Sequence, residues 1–299
     1  MRIGTLQMFR QGINSILDQQ TTLFKTQNQL STGKRINSPS DDPTGAAQLV
    51  GLSESTKITA QYQDNILAAR TRLEMEDTAL GSVGDALQRI RELTVAGLND
   101  TNGPQGRAAM AAEIRQLAGE VLSLANRKDG NGQFMFAGFQ VLTQPFTKTG
   151  SGANYNGDTG QRQIQVGPTR QIADGDSGQA VFMDIPDGSG GVESIFATLE
   201  TLASDLEANA PNGSSLDQLD RAMGQFLGFR ATAGARLNAL ESQQTINETL
   251  LLQLEQTRST IEDLDYAEAA SRLSRESVTL QAAQQAFVKV QGLSLFNFI

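Results

Sequence analysis

The feature that most constrains the fold is an apolar repeat of seven residues in the last part of the chain, residues 231–299. This stretch contains no proline, and its two glycines, Gly234 and Gly292, lie near its ends. Apolar residues spaced by seven form a stripe on one side of a helix, which favours packing against another long helix. The final row consists of Tyr266, Leu273, Leu280 and Phe287, with Val290 on the adjoining row.

The repeat changes register once within this stretch. Leu254 and Ile261 lie on one row, but the step from Ile261 to Tyr266 is five residues rather than seven. Since each residue of a helix turns by about 100°, a five-residue step points the stripe in another direction. The pattern predicts a hinge or a change of packing partner between Glu262 and Tyr266.

A second apolar repeat occupies the start of the chain. Four heptads are near the lower limit for a coiled coil, so a plain amphipathic helix is the alternative interpretation. The matching repeat at the other terminus favours pairing of the two segments. The first row and its flanking positions are Phe9, Ile16, Leu23 and Leu30, with Leu6 and Ile13.

Turn and cap residues divide the next part of the chain into helices. Gly33 fits a helix C-cap, and Asp42 followed by Pro43 fits the start of a second helix. That helix is predicted to reach Gly97, where a cluster of breakers ends it, and a third helix follows to Asn126.

Helical periodicity vanishes between residues 128 and 191, where glycine is dense. Residues 134–137, Tyr155, residues 162–166 and residues 180–182 read as short strands between turns. We expect a small β-rich insert with marginal stability of its own, because so short a segment encloses little core.

Composition excludes several classes of function. The chain of 299 residues lacks cysteine, histidine and tryptophan, and its net charge is -9 with both signs interspersed. Thiol nucleophiles, imidazole bases and the usual zinc ligands are therefore absent, and nucleic-acid binding is disfavoured. No run of about 18 apolar residues and no secretory h-region is present, so we expect no membrane span and no cleaved signal peptide.

Three patterns resemble chemical sites but favour structural roles. Residues 32–35 lack the first glycine and the Ser/Thr of a phosphate-binding loop. Asp41 and Asp42 suit capping better than metal binding, and residues 174–176 lack the closing glutamate of a calcium loop. We predict no catalytic, cofactor-binding or metal site.

Longer motifs carry a family resemblance. Residues 30–37, with the sequence Leu-Ser-Thr-Gly-Lys-Arg-Ile-Asn, resemble the loop after the first helix of bacterial flagellins, and residues 87–95 are similar to the flagellin second-helix motif. Within that family, residues 129–138, 155–162 and 265–299 resemble the third hook-associated protein.

The resemblance implies a mainly α fold with a small β insert. It would contain paired N- and C-terminal coiled-coil helices, an α-helical rod layer and an outer β-domain. Residues 1–41 and 266–299 would form the terminal helical polymerisation domain, 42–132 and 191–265 the rod domain, and 133–190 the β-rich insert.

The resemblance also implies a structural subunit, not an enzyme, that forms the junction between flagellar hook and filament through helical self-assembly of its terminal helices. Its partners would be further copies in a ring, a hook-associated protein on the hook side, flagellin on the filament side and a cytoplasmic export chaperone. It would reach the extracellular flagellum through the flagellar type III pathway. The implied subunit-assembly residues are Leu6, Phe9, Ile13, Ile16, Leu23, Leu30, Tyr266, Leu273, Leu280, Phe287 and Val290.

Two alternatives remain open. The first is flagellin itself, the filament subunit. The second is an enzyme or carbohydrate-binding module carried on a flagellin-like rod. The carboxylates of the insert show no spacing that demands acid–base chemistry; they are Asp158, Asp174, Asp176 and Asp184.

Overall fold

The computed structural model describes residues 2–292, with side chains from residue 7 to residue 290. The fold is mainly α with a few short strands, as predicted. The predicted assembly residue Leu6 lies on the first helix, but its side chain is outside the described residues, as is the chain ending 293–299. The helices are α1 (Arg2–Thr32), α2 (Pro43–Leu98), α3 (Pro104–Ala125), α4 (Ile195–Glu207), α5 (Ser214–Glu262) and α6 (Tyr266–Gly292).

Capping residues explain where the first helices end and begin. Gly33 follows α1 with φ +72°, a left-handed conformation that glycine adopts without steric cost. The carboxylate of Asp42 accepts a hydrogen bond from the Gly45 N–H at 2.9 Å, and Pro43 takes the first position of α2. The predicted ends of α1, α2 and α3 agree with the structure to within one residue.

The strands form three separate antiparallel hairpins. The strands predicted at Tyr155 and at residues 162–166 are confirmed: Tyr155 ends β2, and β3 lies within 162–166. The hairpins are β1 (Phe146–Thr149) with β2 (Gly152–Tyr155), β3 (Gln163–Gln165) with β4 (Gln171–Ala173), and β5 (Ile185–Pro186) with β6 (Val192–Glu193).

Two predicted strands are wrong. Residues 134–137 form one isolated bridge followed by turns, and residues 180–182 lie in a π-helical segment, Gln179–Met183. In both segments tertiary packing overrides the apolar strand pattern, because a ring from each fills the same core: Phe136 and Phe182 meet edge to face at 5.2 Å. The Phe136 carbonyl accepts hydrogen bonds from Gly178 N–H and Tyr155 O–H instead of from a neighbouring strand.

The chain divides into two compact units. The terminal unit contains Met1–Ile58 and Thr249–Ile299, and the central unit contains Thr59–Glu248. Both units take part of α2 and part of α5. This terminal unit extends beyond the predicted terminal domain, which was bounded at residues 41 and 266, and the three-part division into terminal, rod and insert domains stays a prediction.

The main core of the central unit contains a cluster of phenylalanine rings among aliphatic side chains. Phe182 lies at its centre, with ring centroids 5.3 Å from Phe146, 5.4 Å from Phe226 and 5.9 Å from Phe196. Phe146 and Phe182 belong to residues 133–190, whereas Phe196 lies on α4 and Phe226 on α5. The predicted insert therefore has no core separate from the helices.

A break separates α5 from α6 at the predicted position. Helix α5 ends at Glu262 and α6 begins at Tyr266. The Asp265 carboxylate caps α6 by accepting hydrogen bonds from the N–H groups of Ala267 (2.9 Å) and Glu268 (3.1 Å). The helix is thus interrupted at the place where the register changes, and the predicted hinge or change of packing partner there stays a prediction.

Candidate subunit-assembly surface

Helices α1 and α6 pack against each other within one chain, as the two seven-residue repeats predict. The rings of Phe9 and Phe287 meet at a centroid distance of 5.0 Å. Gly12 lies under the Phe287 ring, where an added Cβ would approach a ring carbon to 2.9 Å. The absence of a side chain at residue 12 lets the helices approach closely.

The predicted assembly residues fall into two groups. Six are half-buried: Ile16, Leu23, Leu30, Leu273, Leu280 and Phe287. Four are exposed: Phe9, Ile13, Tyr266 and Val290. Pairing of α1 with α6 therefore leaves much of the apolar surface of both helices open, and the assembly role of these residues stays a prediction.

Sequence reasoning missed a second set of apolar side chains on the same two helices. We call this set the outer row, although it is not a single line: on α1, Met8 lies on one flank of the predicted row and Leu17 and Phe24 lie on the other. Its members are exposed by 52% to 67% and are Met8, Leu17, Phe24, Val278 and Val288. Four of them directly adjoin a residue of the predicted rows in sequence. That adjacency was the available signal, because two apolar neighbours widen a stripe enough for one helix to contact two partners.

The loop after α1 is joined to the break between α5 and α6 by backbone pairing. We call this contact the clip; it consists of residues 33–35 and 261–264. Lys34 and Asp263 form an antiparallel bridge, Arg35 N–H donates to Glu262 O at 2.7 Å, and Leu264 N–H donates to Gly33 O at 3.0 Å. The flagellin-like motif 30–37 thus joins the end of α1 to the start of α6.

Arg35 strengthens the clip through its side chain. Its Nη2 and Nε donate to the Ile261 carbonyl at 2.7 and 3.2 Å, where the end of α5 leaves carbonyls without helical partners. Its Nη1 pairs with Asp42 at 3.2 Å. The hydrogen bond from the Gly45 N–H, followed by that from Arg35, holds the pKa of Asp42 below its ordinary value.

Two further ion pairs flank the clip. Lys34 pairs with Glu262, and this hydrogen bond is the main cause that lowers the pKa of Glu262. Lys25 pairs with Asp41 at 2.9 Å and lowers its pKa in the same way. Asp41 also accepts hydrogen bonds from the N–H groups of residues 37 and 38. Lys34, Asp41 and Asp42 therefore act in capping and pairing.

The carboxylates of the insert have separate structural partners. Asp158 accepts hydrogen bonds from the N–H groups of Phe139 and Gly160, and Asp184 accepts one from Gln179. Asp174 and Asp176 are buried against arginines. Among the described residues, no group of acidic side chains is arranged to hold a metal ion. Along the same part of the chain, no helix is both apolar and long enough to span a bilayer.

Comparison with known proteins identifies the family. The profile of the bacterial flagellin N-terminal helical region matches residues 3–141, and that of the bacterial flagellin C-terminal helical region matches residues 216–299. Flagellar hook-associated protein 3 of Escherichia coli (strain K12) is 33% identical, and the alignment covers 99% of each chain. The chain belongs to the flagellin-like family of flagellar hook-associated protein 3.

Other relatives favour this family over the flagellin alternative. Hook-associated protein 3 of Salmonella typhimurium is 30% identical over 99% of both chains. A flagellin of Halalkalibacterium halodurans is 27% identical over 87% of this chain and 85% of its own length. The match to hook-associated protein 3 is therefore both more similar and more complete.

Solved structures show the same fold. A flagellar hook-associated protein from Vibrio parahaemolyticus superposes with a TM-score of 0.67 at 25% identity, covering 75% of this chain and all of that one. Hook-associated protein 3 from Legionella pneumophila gives a TM-score of 0.66 at 23% identity, covering 70% and 98%. A second Legionella pneumophila structure, with a TM-score of 0.62 at 22% identity, bears the name flagellar junction protein.

Proposed function

We propose that this chain is a structural subunit of the bacterial flagellum that forms the junction between hook and filament by helical self-assembly of its terminal helices. Membership of the hook-associated protein 3 family supports the location. The observation that carries the mechanism is the outer row of apolar side chains, which stays exposed when α1 and α6 are paired. The role is mechanical, and we assign no catalytic step to it.

The energetics favour assembly with several neighbours at once. Complete burial of one fully exposed large apolar side chain contributes about 1.5–3 kcal/mol. The five side chains of the outer row are 52% to 67% exposed, so their burial contributes roughly 5–9 kcal/mol per subunit. Rigid association costs about 4–15 kcal/mol. These terms nearly balance for a single contact, so stable incorporation requires a lattice in which each subunit makes head-to-tail contacts on more than one side.

The partners follow from this position. We propose that copies of the chain form a ring, with a hook-associated protein on the hook side and flagellin on the filament side. We further propose that the chain is held by an export chaperone in the cytoplasm and leaves the cell through the flagellar type III pathway. The proposed assembly residues are the predicted terminal rows together with the outer row.

Localisation on isolated flagella tests the proposal. An epitope inserted after Ser189, at the exposed β5–β6 turn, is detected by immunogold electron microscopy. We expect gold at the hook–filament boundary alone and, in a strain that lacks the protein, hooks without filaments. Gold along the whole filament would identify a filament subunit instead. A strain with normal filaments would contradict the junction role.

A further inference from the structure

A largely buried ion cluster in the central unit has one carboxyl group more than it has guanidinium groups. It joins side chains from α2, from α5, from the loop after α3 and from the two segments that flank the β3–β4 hairpin. Among the described residues its members are the arginines Arg72, Arg162 and Arg236 and the acids Glu76, Asp129, Asp174 and Asp176.

Each arginine of the cluster already has an aspartate partner. Arg72 pairs with Asp129 at 3.0 Å, and its Nε lies 3.8 Å from Asp174. Arg162 Nε donates to Asp174 at 2.8 Å. On the α5 side, the partner is Asp176, which receives two parallel hydrogen bonds of 2.9 and 3.0 Å from Arg236. Such bidentate pairs are strong, and the negative charge of Asp176 offsets the positive charge of Arg236.

Glu76 is the carboxyl group that remains. Its side chain is 2% exposed, its Oε1 accepts a hydrogen bond from the Asp176 N–H at 3.1 Å, and its Oε2 is buried without a hydrogen-bond partner. Burial, and next the charge of Asp176, raise the pKa of Glu76 to about 8, against the opposing influence of Arg236 and Arg72.

We propose that Glu76 is a buried protonation site whose bound proton balances the cluster, so that alkaline pH loosens the attachment of residues 161–176 to α2 and α5. The charged groups that face Glu76 are Arg72 on its own helix, Arg236 on α5 and Asp176 on the attached loop. Ionised Glu76 would add a second negative charge beside Asp176 while both arginines are already paired. A buried carboxylate without a compensating charge raises the free energy of the folded state. Detachment of residues 161–176 exposes Glu76 to water and removes this cost, so detachment becomes easier.

The direction of the pH effect follows from linkage. Opening restores the ordinary pKa of Glu76, 4.5, so the opened form loses the proton that the closed form keeps. Opening is least favourable below that value and becomes about tenfold easier per pH unit as the pH rises towards 8. Above the raised pKa both forms are ionised, and the dependence ends.

Hydrogen exchange on the full chain tests this site. In the wild type, protection of the amides of residues 161–176, corrected for the intrinsic exchange rate, should fall about tenfold per unit between about pH 5.5 and 8 and then level off. Glu76→Gln keeps the shape and carries no charge, so its protection should not vary. Glu74→Gln, an exposed site on the same helix, should keep the wild-type slope. Equal slopes in wild type and Glu76→Gln would overturn the proposal.

A direct titration keeps the proposal testable if Glu76→Gln folds poorly. The side-chain carboxyl ¹³C resonances of the wild-type glutamates should include one with a midpoint near pH 8. A set of midpoints all near the ordinary value would reject the site. The measurement is repeated in sodium chloride and in potassium chloride of equal ionic strength. A midpoint that depends on which cation is present would show that a metal cation, not a proton, balances the cluster.

Discussion

Gly33 meets two independent requirements, one from its backbone and one from a neighbouring side chain. Its φ of +72° is costly for any residue with a Cβ, and an added Cβ would lie 2.7 Å from the hydroxyl oxygen of Tyr266. We expect Gly33→Ala to lower the free energy of unfolding by roughly 1–2 kcal/mol for the left-handed conformation. Displacement of the exposed Tyr266 side chain should add a smaller loss. This change in the free energy of unfolding is measured by urea unfolding monitored by circular dichroism.

A second substitution separates the two causes. In Gly33→Ala combined with Tyr266→Phe the contact with the hydroxyl is gone, so the loss should shrink to the backbone cost. Gly51→Ala serves as the control, because that glycine lies inside α2 with open space around it and alanine should stabilise the helix by about 1 kcal/mol. Equal losses in the single and double variants would show that the hydroxyl imposes no constraint.

Two phenylalanines of the same segment should behave in opposite ways. Phe182 is fully buried at the centre of the cluster of phenylalanine rings, whereas Phe139 is 64% exposed. Phe182→Ala should cost about 3–5 kcal/mol of unfolding free energy because it leaves a cavity among four other rings. Phe139→Ala should change it by less than about 0.5 kcal/mol. A small loss at Phe182 would mean that residues 133–190 do not contribute to the helical core.

At the scale of helices, the half-buried rows and the outer row of α1 and α6 make separable contributions. Replacing Leu17, Phe24 and Val288 by serine should abolish incorporation into the flagellum while the helicity of the purified chain stays unchanged, since these side chains are exposed. The matched variant replaces the half-buried residues Leu273, Leu280 and Phe287 by serine. It should lose helicity as well, because α1 and α6 then no longer pair. Incorporation of the outer-row variant at the wild-type level would contradict the proposed assembly surface.

Local chemistry made the ends of these helices predictable, whereas the positions of some loops required the whole fold. Gly33, Asp42 and Pro43 act within a few residues of themselves, so their pattern is sufficient. Residues 134–137 and 180–182 have the composition of strands, but their aromatic rings pack in a core with side chains of α4 and α5. The local sequence does not show these distant contacts. The change between Glu262 and Tyr266 was predictable because each residue of a helix turns by a fixed angle, so a five-residue step changes the direction in which the apolar stripe points.

The assembly surface was predictable only in part for a related reason. A seven-residue repeat identifies the row that meets the partner helix, and it correctly indicated that the two ends of the chain pair. It cannot say which apolar side chains remain exposed after that pairing. Leu17 and Phe24 became visible as a second row only when α6 was in place beside α1.

For the whole molecule, acid and alkali should weaken different units. Asp41, Asp42 and Glu262 of the terminal unit have lowered pKa values, so their stabilisation is present above the ordinary values of 3.8 and 4.5 and is lost as the pH falls through the lowered ones. Glu76 has the opposite sign: its contribution is complete below 4.5 and is lost as the pH rises to about 8. Hydrogen exchange at about pH 3 and pH 8.5 should show loss of protection at residues 33–42 in acid and at residues 161–176 in alkali. Simultaneous loss in both places at one pH would contradict this assignment.

The clip has a mechanical consequence. Because it joins residues 33–35 to residues 261–264, tension applied to the two chain ends first separates α1 from α6, turn by turn, and reaches the clip only afterwards. Full extension of these helices, of 31 and 27 residues, would increase the distance between the two chain ends by about 200 Å. Until then the clip keeps the force from the residues between 35 and 261. In a rotating appendage that bends at its joints, sudden strain would therefore unfold α1 and α6 first. These helices could refold when the strain ends, while the aromatic core of the subunit stays folded.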